Sequence, residues 1–153
     1  MRDPLADAMQ ALQQGMTGHA RRYCKQVLKR DPKHPEANYL LGNIALKAGK
    51  NSEAAKLLKK AVAANAQASH YHIALGMALE ALGQADPAIA SFRKGVAIEP
   101  DNADMHNNLG NVLRSHGYLE EAVEEYRLAL SLNADFSGAL NNLGSTLHDL
   151  EAY

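Results

Sequence analysis

Seven histidines and one cysteine are the side chains of this 153-residue sequence best suited to metal binding or nucleophilic attack. Their spacing supports neither. His70 and His72 stand two apart, so on a helix they point in different directions. His72 and His106 repeat at a step of 34 residues without a third ligand near them in the pattern. No His-Glu-x-x-His string, phosphate-binding loop or Gly-x-Ser-x-Gly elbow occurs. Cys24 falls in register with Leu58, Phe92 and Tyr126, which makes it a core residue rather than a nucleophile. No catalytic residue, metal or cofactor is expected, and the chain reads as a non-enzyme. The carboxamides offer a different chemistry. Asn107-Asn108 and Asn141-Asn142 are side-by-side pairs of a residue that suits neither helix interiors nor cores. A carboxamide both donates and accepts, so it can bond a bound peptide's backbone whatever the ligand's side chains.

Such residues need a frame, and the frame is a repeat. Gly15, Gly49, Gly83 and Gly117 are spaced by 34, as are Gly42, Gly76, Gly110 and Gly144, each of the latter preceded by leucine. Ala20, Ala54, Ala88 and Ala122 keep the same step, and Cys24, Leu58, Phe92 and Tyr126 follow four residues later. Each period holds two segments with apolar residues at three- and four-residue steps, the signature of amphipathic helices, and no segment alternates as a strand would. The patterns predict helices at 5–14, 18–30, 35–48, 52–64, 69–82, 86–98, 103–116, 120–132 and 137–150. Gly49 suits a left-handed C-cap, while Asn51-Ser52 and Asp86-Pro87 read as N-caps of second helices. The mid-helix glycines are expected to admit close contact with the paired helix at Ala54, Ala88 or Ala122. Ala61, Gly95 and Ala129 are expected to let the next repeat approach.

These columns resemble the tetratricopeptide repeat, in which a large residue, Leu-Gly, Ala, an aromatic and Pro recur at fixed offsets in 34. The likeness covers the chain from about Leu5 onward, as repeats 1–34, 35–68, 69–102 and 103–136, with 137–153 as the first helix of a fifth. The family's tryptophan column here reads Asn38, His72, His106 and Leu140. The Asn-Asn-Leu-Gly strings most resemble repeats in the arm of O-GlcNAc transferases. The resemblance implies an all-α, right-handed α-solenoid of antiparallel helix pairs: nine helices in about 4.5 repeats, first helices lining a concave groove.

The resemblance also places candidate contacts on that groove: Tyr39 and Asn43; Ile73 and Met77; Asn107, Asn108, Asn111 and Arg114; Asn141 and Asn142. Asn108 and Asn142 match the transferase arm's asparagine ladder. Arg114 would suit an acidic ligand side chain, and Tyr39, Ile73 and Met77 apolar contact. The family's carboxylate clamp is not matched, because its cationic positions hold Leu5, Glu36, Leu40, His70, Ala74 and Asp104. The expected function is a protein-interaction module binding an extended peptide or partner segment. The alternatives are the substrate-recruiting arm of a larger, glycosyltransferase-like enzyme, or a scaffold assembling through its open C-terminal end. An array ending on an unpaired first helix is expected to be part of a longer chain.

Composition narrows the classes further. Hydrophobic residues make up 46% and charged residues 22%, as in an ordinary globular chain. The net charge of -1 hides a gradient. Residues 1–68 carry 12 Lys/Arg against 5 Asp/Glu, a net of +7, and residues 69–153 carry 4 against 12, a net of -8. A single aromatic, Tyr23, stands among the clustered basic residues, too few to stack successive bases, which argues against nucleic acid as a partner. No apolar run is long enough for a membrane span, and the start of the sequence lacks a signal-peptide core, so a cytoplasmic location is expected.

Overall fold

The computed structural model describes residues 3–153; Met1 and Arg2, at the start of the first expected repeat, lie outside the described residues. Among the described residues there are nine helices and no strand: α1 Pro4–Gln13, α2 Thr17–Arg30, α3 Pro35–Lys47, α4 Asn51–Ala64, α5 Ser69–Ala81, α6 Ala85–Ile98, α7 Ala103–Ser115, α8 Leu119–Leu132 and α9 Ser137–Glu151. Each lies within one residue of the span its periodicity predicts. The helices pair antiparallel in chain order, and the pairs stack into a right-handed α-solenoid. Among the described residues, no helix is long and apolar enough to cross a membrane.

The turn within each pair is built from main chain and one glycine. Gly15, Gly49, Gly83 and Gly117 all take φ between 72° and 83°, a region open to glycine and strained for other residues. At Gly49 its own N–H donates to Leu46 O at 3.0 Å and the Lys50 N–H donates to Ala45 O at 2.9 Å, the double bond of a Schellman motif. The same two bonds recur at the other three glycines. Lys50 then begins the next helix, its carbonyl accepting from Ala54 N at 2.9 Å. This corrects the expected N-caps. Asn51 lies inside α4, and Asp86 and Pro87 lie inside α6. The capping residues are Lys50 and Gln84, without side-chain caps, because the joint already fixes their backbone. Three of the first helices are capped by side chains instead, from Asp3, His34 and Asn102.

The mid-helix glycines do receive the paired helix, but through a different column. A Cβ at Gly42, Gly76 or Gly110 would stand 2.6 Å from Leu58 Cγ, 2.8 Å from Phe92 Cδ2 or 2.6 Å from Tyr126 Cε1, respectively. The bulky side chains fill the space, rather than Ala54, Ala88 and Ala122. Gly95 likewise faces Ile73 and Ser69 of α5, its own pair's first helix, not the next repeat. Glycine in a helix costs about 1 kcal/mol relative to alanine, and the buried ring or leucine seated above it offsets that cost.

A buried polar column holds successive pairs together. Asn38 is fully buried and His72 and His106 nearly so. Each bonds a carbonyl six residues upstream, in the loop between pairs: Asn38 Nδ2 to Pro32 O at 3.2 Å, His72 Nε2 to Ala66 O at 2.9 Å, and His106 Nε2 to Pro100 O at 2.7 Å. The second nitrogen of His106 meets Glu125 Oε2 at 2.6 Å. These histidines therefore tie loops to helices.

Candidate functional site

The first helices α3, α5, α7 and α9 stand side by side, and a second set of bonds crosses from one to the next. Four of these bonds share an offset of 35 residues. Tyr71 Oη donates to Glu36 Oε2 at 2.7 Å, Ser115 Oγ to Glu80 Oε1 at 3.2 Å, Asn142 Nδ2 to Asn107 Oδ1 at 3.1 Å, and Arg114 to Asp149 Oδ2 at 2.7 Å. A residue on one helix thus meets the position one further along on its neighbour. This rule involves groups that look unrelated in the sequence.

The predicted site residues separate into three groups. Asn107, Asn111 and Asn142 come together: Asn142 Nδ2 also bonds Asn111 Oδ1 at 2.9 Å, and Asn111 accepts the hydroxyl of buried Tyr126 at 2.9 Å. Arg114 joins them through α9, where its Nε and Nη2 both bond Asp149. These four spend polar atoms on one another or on the frame. Asn43, Asn108 and Asn141 have no side-chain hydrogen-bond partner among the described residues. Asn43 and Asn108 are half-buried and Asn141 is exposed. The apolar candidates also differ. Tyr39 packs against His70 and Tyr71 with ring centroids 4.9 and 4.8 Å away, and Ile73 rests on Gly95. Met77 alone of the three is open to solvent, at 49% exposure.

Electrostatics follow the same geography. Burial, then the hydrogen bond to Glu36, pushes the Tyr71 hydroxyl well above its usual range. Hydrogen bonds from Ser69 and Asn102 hold the Glu99 carboxyl below its usual range. Cys24 is fully buried, and burial, followed by the charge of Glu36, pushes its thiol up to about 11. The folded thiol keeps its proton where the unfolded one, with an ordinary value of 9.0, loses it. Stability should therefore be indifferent to this group below about pH 9 and fall as pH rises beyond it. In native protein at pH 8, Cys24 should be alkylated only as fast as the chain opens; labelling at the rate of the denatured chain would contradict its core placement.

One concavity on this side joins two of the predicted residues, Asn43 and Met77, to residues of α1 and α2 that the sequence reading did not include. It has a volume of about 720 Å³ and wraps the C-terminal end of α3, with apolar walls from Leu12, Leu40, Ile44, Leu46 and Met77. Asn43, Arg21 and Lys47 also line it. Arg21 comes from α2, a second helix, which is why attention to the first helices alone did not include it. Elsewhere, α9 presents Leu140 and Leu147 to solvent, and a Cβ at Gly144 would meet nothing within 4 Å. Among the described residues, no three His, Cys, Asp or Glu side chains converge as a metal site.

Comparison with known proteins agrees with this architecture. Residues 11–78 match a family model described as tetratricopeptide repeat, and residues 81–117 and 110–150 match one described as TPR repeat. The structure is similar to that of MamA, with a TM-score of 0.86 and 26% identity, over 94% of this chain and 84% of that one. It is similar to YrrB, described as a TPR protein with an unusual peptide-binding site, with a TM-score of 0.83 and 21% identity, over 97% of this chain and 76% of that one. It also resembles an O-GlcNAc transferase of Thermobaculum terrenum, with a TM-score of 0.78 and 28% identity, over 84% of this chain but 25% of the transferase. No curated protein matches the sequence significantly.

Proposed function

Because this chain belongs to the tetratricopeptide repeat family, we propose that it is a non-catalytic protein-interaction module of the cytoplasm, which holds an extended segment of a partner protein in its concave groove. The observation that carries this reading is the set of unpartnered carboxamides, Asn43, Asn108 and Asn141, on first helices that are otherwise bonded to one another. In a helix each of these costs stability relative to alanine, and a ligand's backbone would use the donors and acceptor they leave open. Tyr39, Ile73, Met77, Asn107, Asn111, Arg114 and Asn142 complete the proposed surface. Several such bonds at about 0.5–1.5 kcal/mol each correspond to micromolar affinity.

The test is a pull-down read by mass spectrometry with two variants of equal helix content. Asn43→Ala/Met77→Ala/Asn108→Ala alters the groove, and Lys25→Ala/Lys59→Ala alters exposed positions of second helices. Partners held by wild type should be lost by the first variant and kept by the second; the reverse pattern would sink the groove reading.

A second reading has support of its own. The likeness to part of an O-GlcNAc transferase, together with the paired asparagines, fits a recruiting arm whose catalytic domain lies elsewhere on a parent chain. The binding mechanism is unchanged, and the parent gene's sequence separates the two. The open face of α9, with Leu140, Leu147 and the unfilled Gly144, fits self-association alongside either.

A further inference from the structure

We infer that the ligand is anchored at the N-terminal half of the groove, by the concavity around the end of α3, and that it is an acidic segment bearing one bulky apolar side chain. This rests on the groove reading above and refines it. The carboxamide pairs lie on α7 and α9, but there Asn142 is bonded to Asn107 and Asn111, and Arg114 to Asp149. A ligand at that end must compete with bonds the fold already makes. Around α3 the reverse holds.

Asn43 is unbonded there, and Arg21 and Lys47 enter no ion pair among the described residues; all three ion pairs present involve residues 93–149. Leu12, Leu46 and Met77 offer apolar surface that is half-buried or exposed, on a floor of nearly buried Leu40 and Ile44. An apolar side chain entering here is desolvated beside two cations that have no internal counter-charge. Carboxylates flanking that side chain would pair with them. The net charge of +7 over residues 1–68 steers an acidic segment to this end, and the net of -8 beyond it repels one. Basic and neutral ligands lack that match.

Fluorescence anisotropy with defined peptides tests the proposal. The probe is a short fluorescein-labelled peptide with one phenylalanine in a run of aspartates, compared with a serine-for-phenylalanine version and a lysine-for-aspartate version. Wild type should bind the first, with affinity falling several-fold between about 0.05 and 0.5 M salt, and should bind the other two at least about tenfold more weakly. Arg21→Glu/Lys47→Glu should lose at least about tenfold, and clearly more than Asn108→Ala/Asn142→Ala loses. Failure to bind the acidic apolar peptide, or equal binding of the lysine version, overturns the ligand assignment and leaves the groove reading to its own pull-down. Binding lost in the asparagine variant but kept in the charge-reversed one overturns the placement, moves the anchor to α7 and α9, and leaves the groove reading standing. Arg21→Ala/Lys47→Ala is the milder variant should charge reversal disturb folding.

Discussion

Gly110→Ala is expected to lower the unfolding free energy by about 1–2 kcal/mol, and the same change at Gly144 to raise it by up to about 1 kcal/mol. The two glycines occupy one column of the repeat and look equivalent in the sequence. They differ in what faces them. At Gly110 a Cβ would lie 2.6 Å from Cε1 and 2.9 Å from Cδ1 of Tyr126, a fully buried ring whose hydroxyl is bonded to Asn111. That ring cannot swing aside without breaking its hydrogen bond or displacing α8, so overpacking at about 1–3 kcal/mol outweighs the helix-propensity gain of about 1. At Gly144 nothing stands within 4 Å, and only the propensity gain remains. Urea unfolding of the two variants decides the matter: shifts of the midpoint in the same direction would mean that the column's packing is misassigned.

His106→Leu is expected to cost about 2–3 kcal/mol, and His106→Asn about half as much. His106 is 6% exposed, with one nitrogen 2.7 Å from Pro100 O and the other 2.6 Å from Glu125 Oε2. Leucine fills the space but removes both partners. The side chain of Glu125 is 21% exposed and can turn to water, which limits the cost on that side. Asparagine is already tested by the protein itself, since Asn38 fills this column in α3 and bonds Pro32 O. Thermal unfolding that ranks the asparagine variant no better than leucine would show that the loop bond contributes little.

Much of this fold was legible because its constraints act within a few residues. The periodicity of apolar side chains set each helix to within one residue, and the joint glycines marked the turns because only glycine tolerates their positive φ. The misread N-caps share one cause. Asn51 and Asp86 have capping chemistry, but a Schellman turn abutting the next helix leaves no free residue for them to cap from. The seat of Leu58, Phe92 and Tyr126 on Gly42, Gly76 and Gly110 is present in the sequence as two columns 16 residues apart; the alanines expected to meet the glycines, Ala54, Ala88 and Ala122, stand four residues before the side chains that do.

The candidate site was harder to read, because its bonds run between repeats. Arg114 and Asp149, or Glu36 and Tyr71, stand 35 apart, a spacing that belongs neither to a helix nor to the repeat itself. The offset is a property of how neighbouring first helices sit. Similarly, Asn108 and Asn142 read as equivalent members of one ladder, with Asn107 and Asn141 beside them. Only the neighbours distinguish Asn142, which is committed internally, from Asn108 and Asn141, which are not.

The joint inside each helix pair has a further consequence, for how freely this sequence can drift. Met16, Lys50, Gln84 and Tyr118 hold the same place in four copies, each giving its N–H to the helix before and its carbonyl to the helix after. A thioether, an ammonium, a carboxamide and a phenol serve equally, because the work is done by peptide groups that every one of them carries. All four side chains point to solvent. Such positions are where mutation can wander between duplicated units without disturbing the architecture. They are also where a chemist can attach a dye or a tether to every repeat and leave the solenoid as it was.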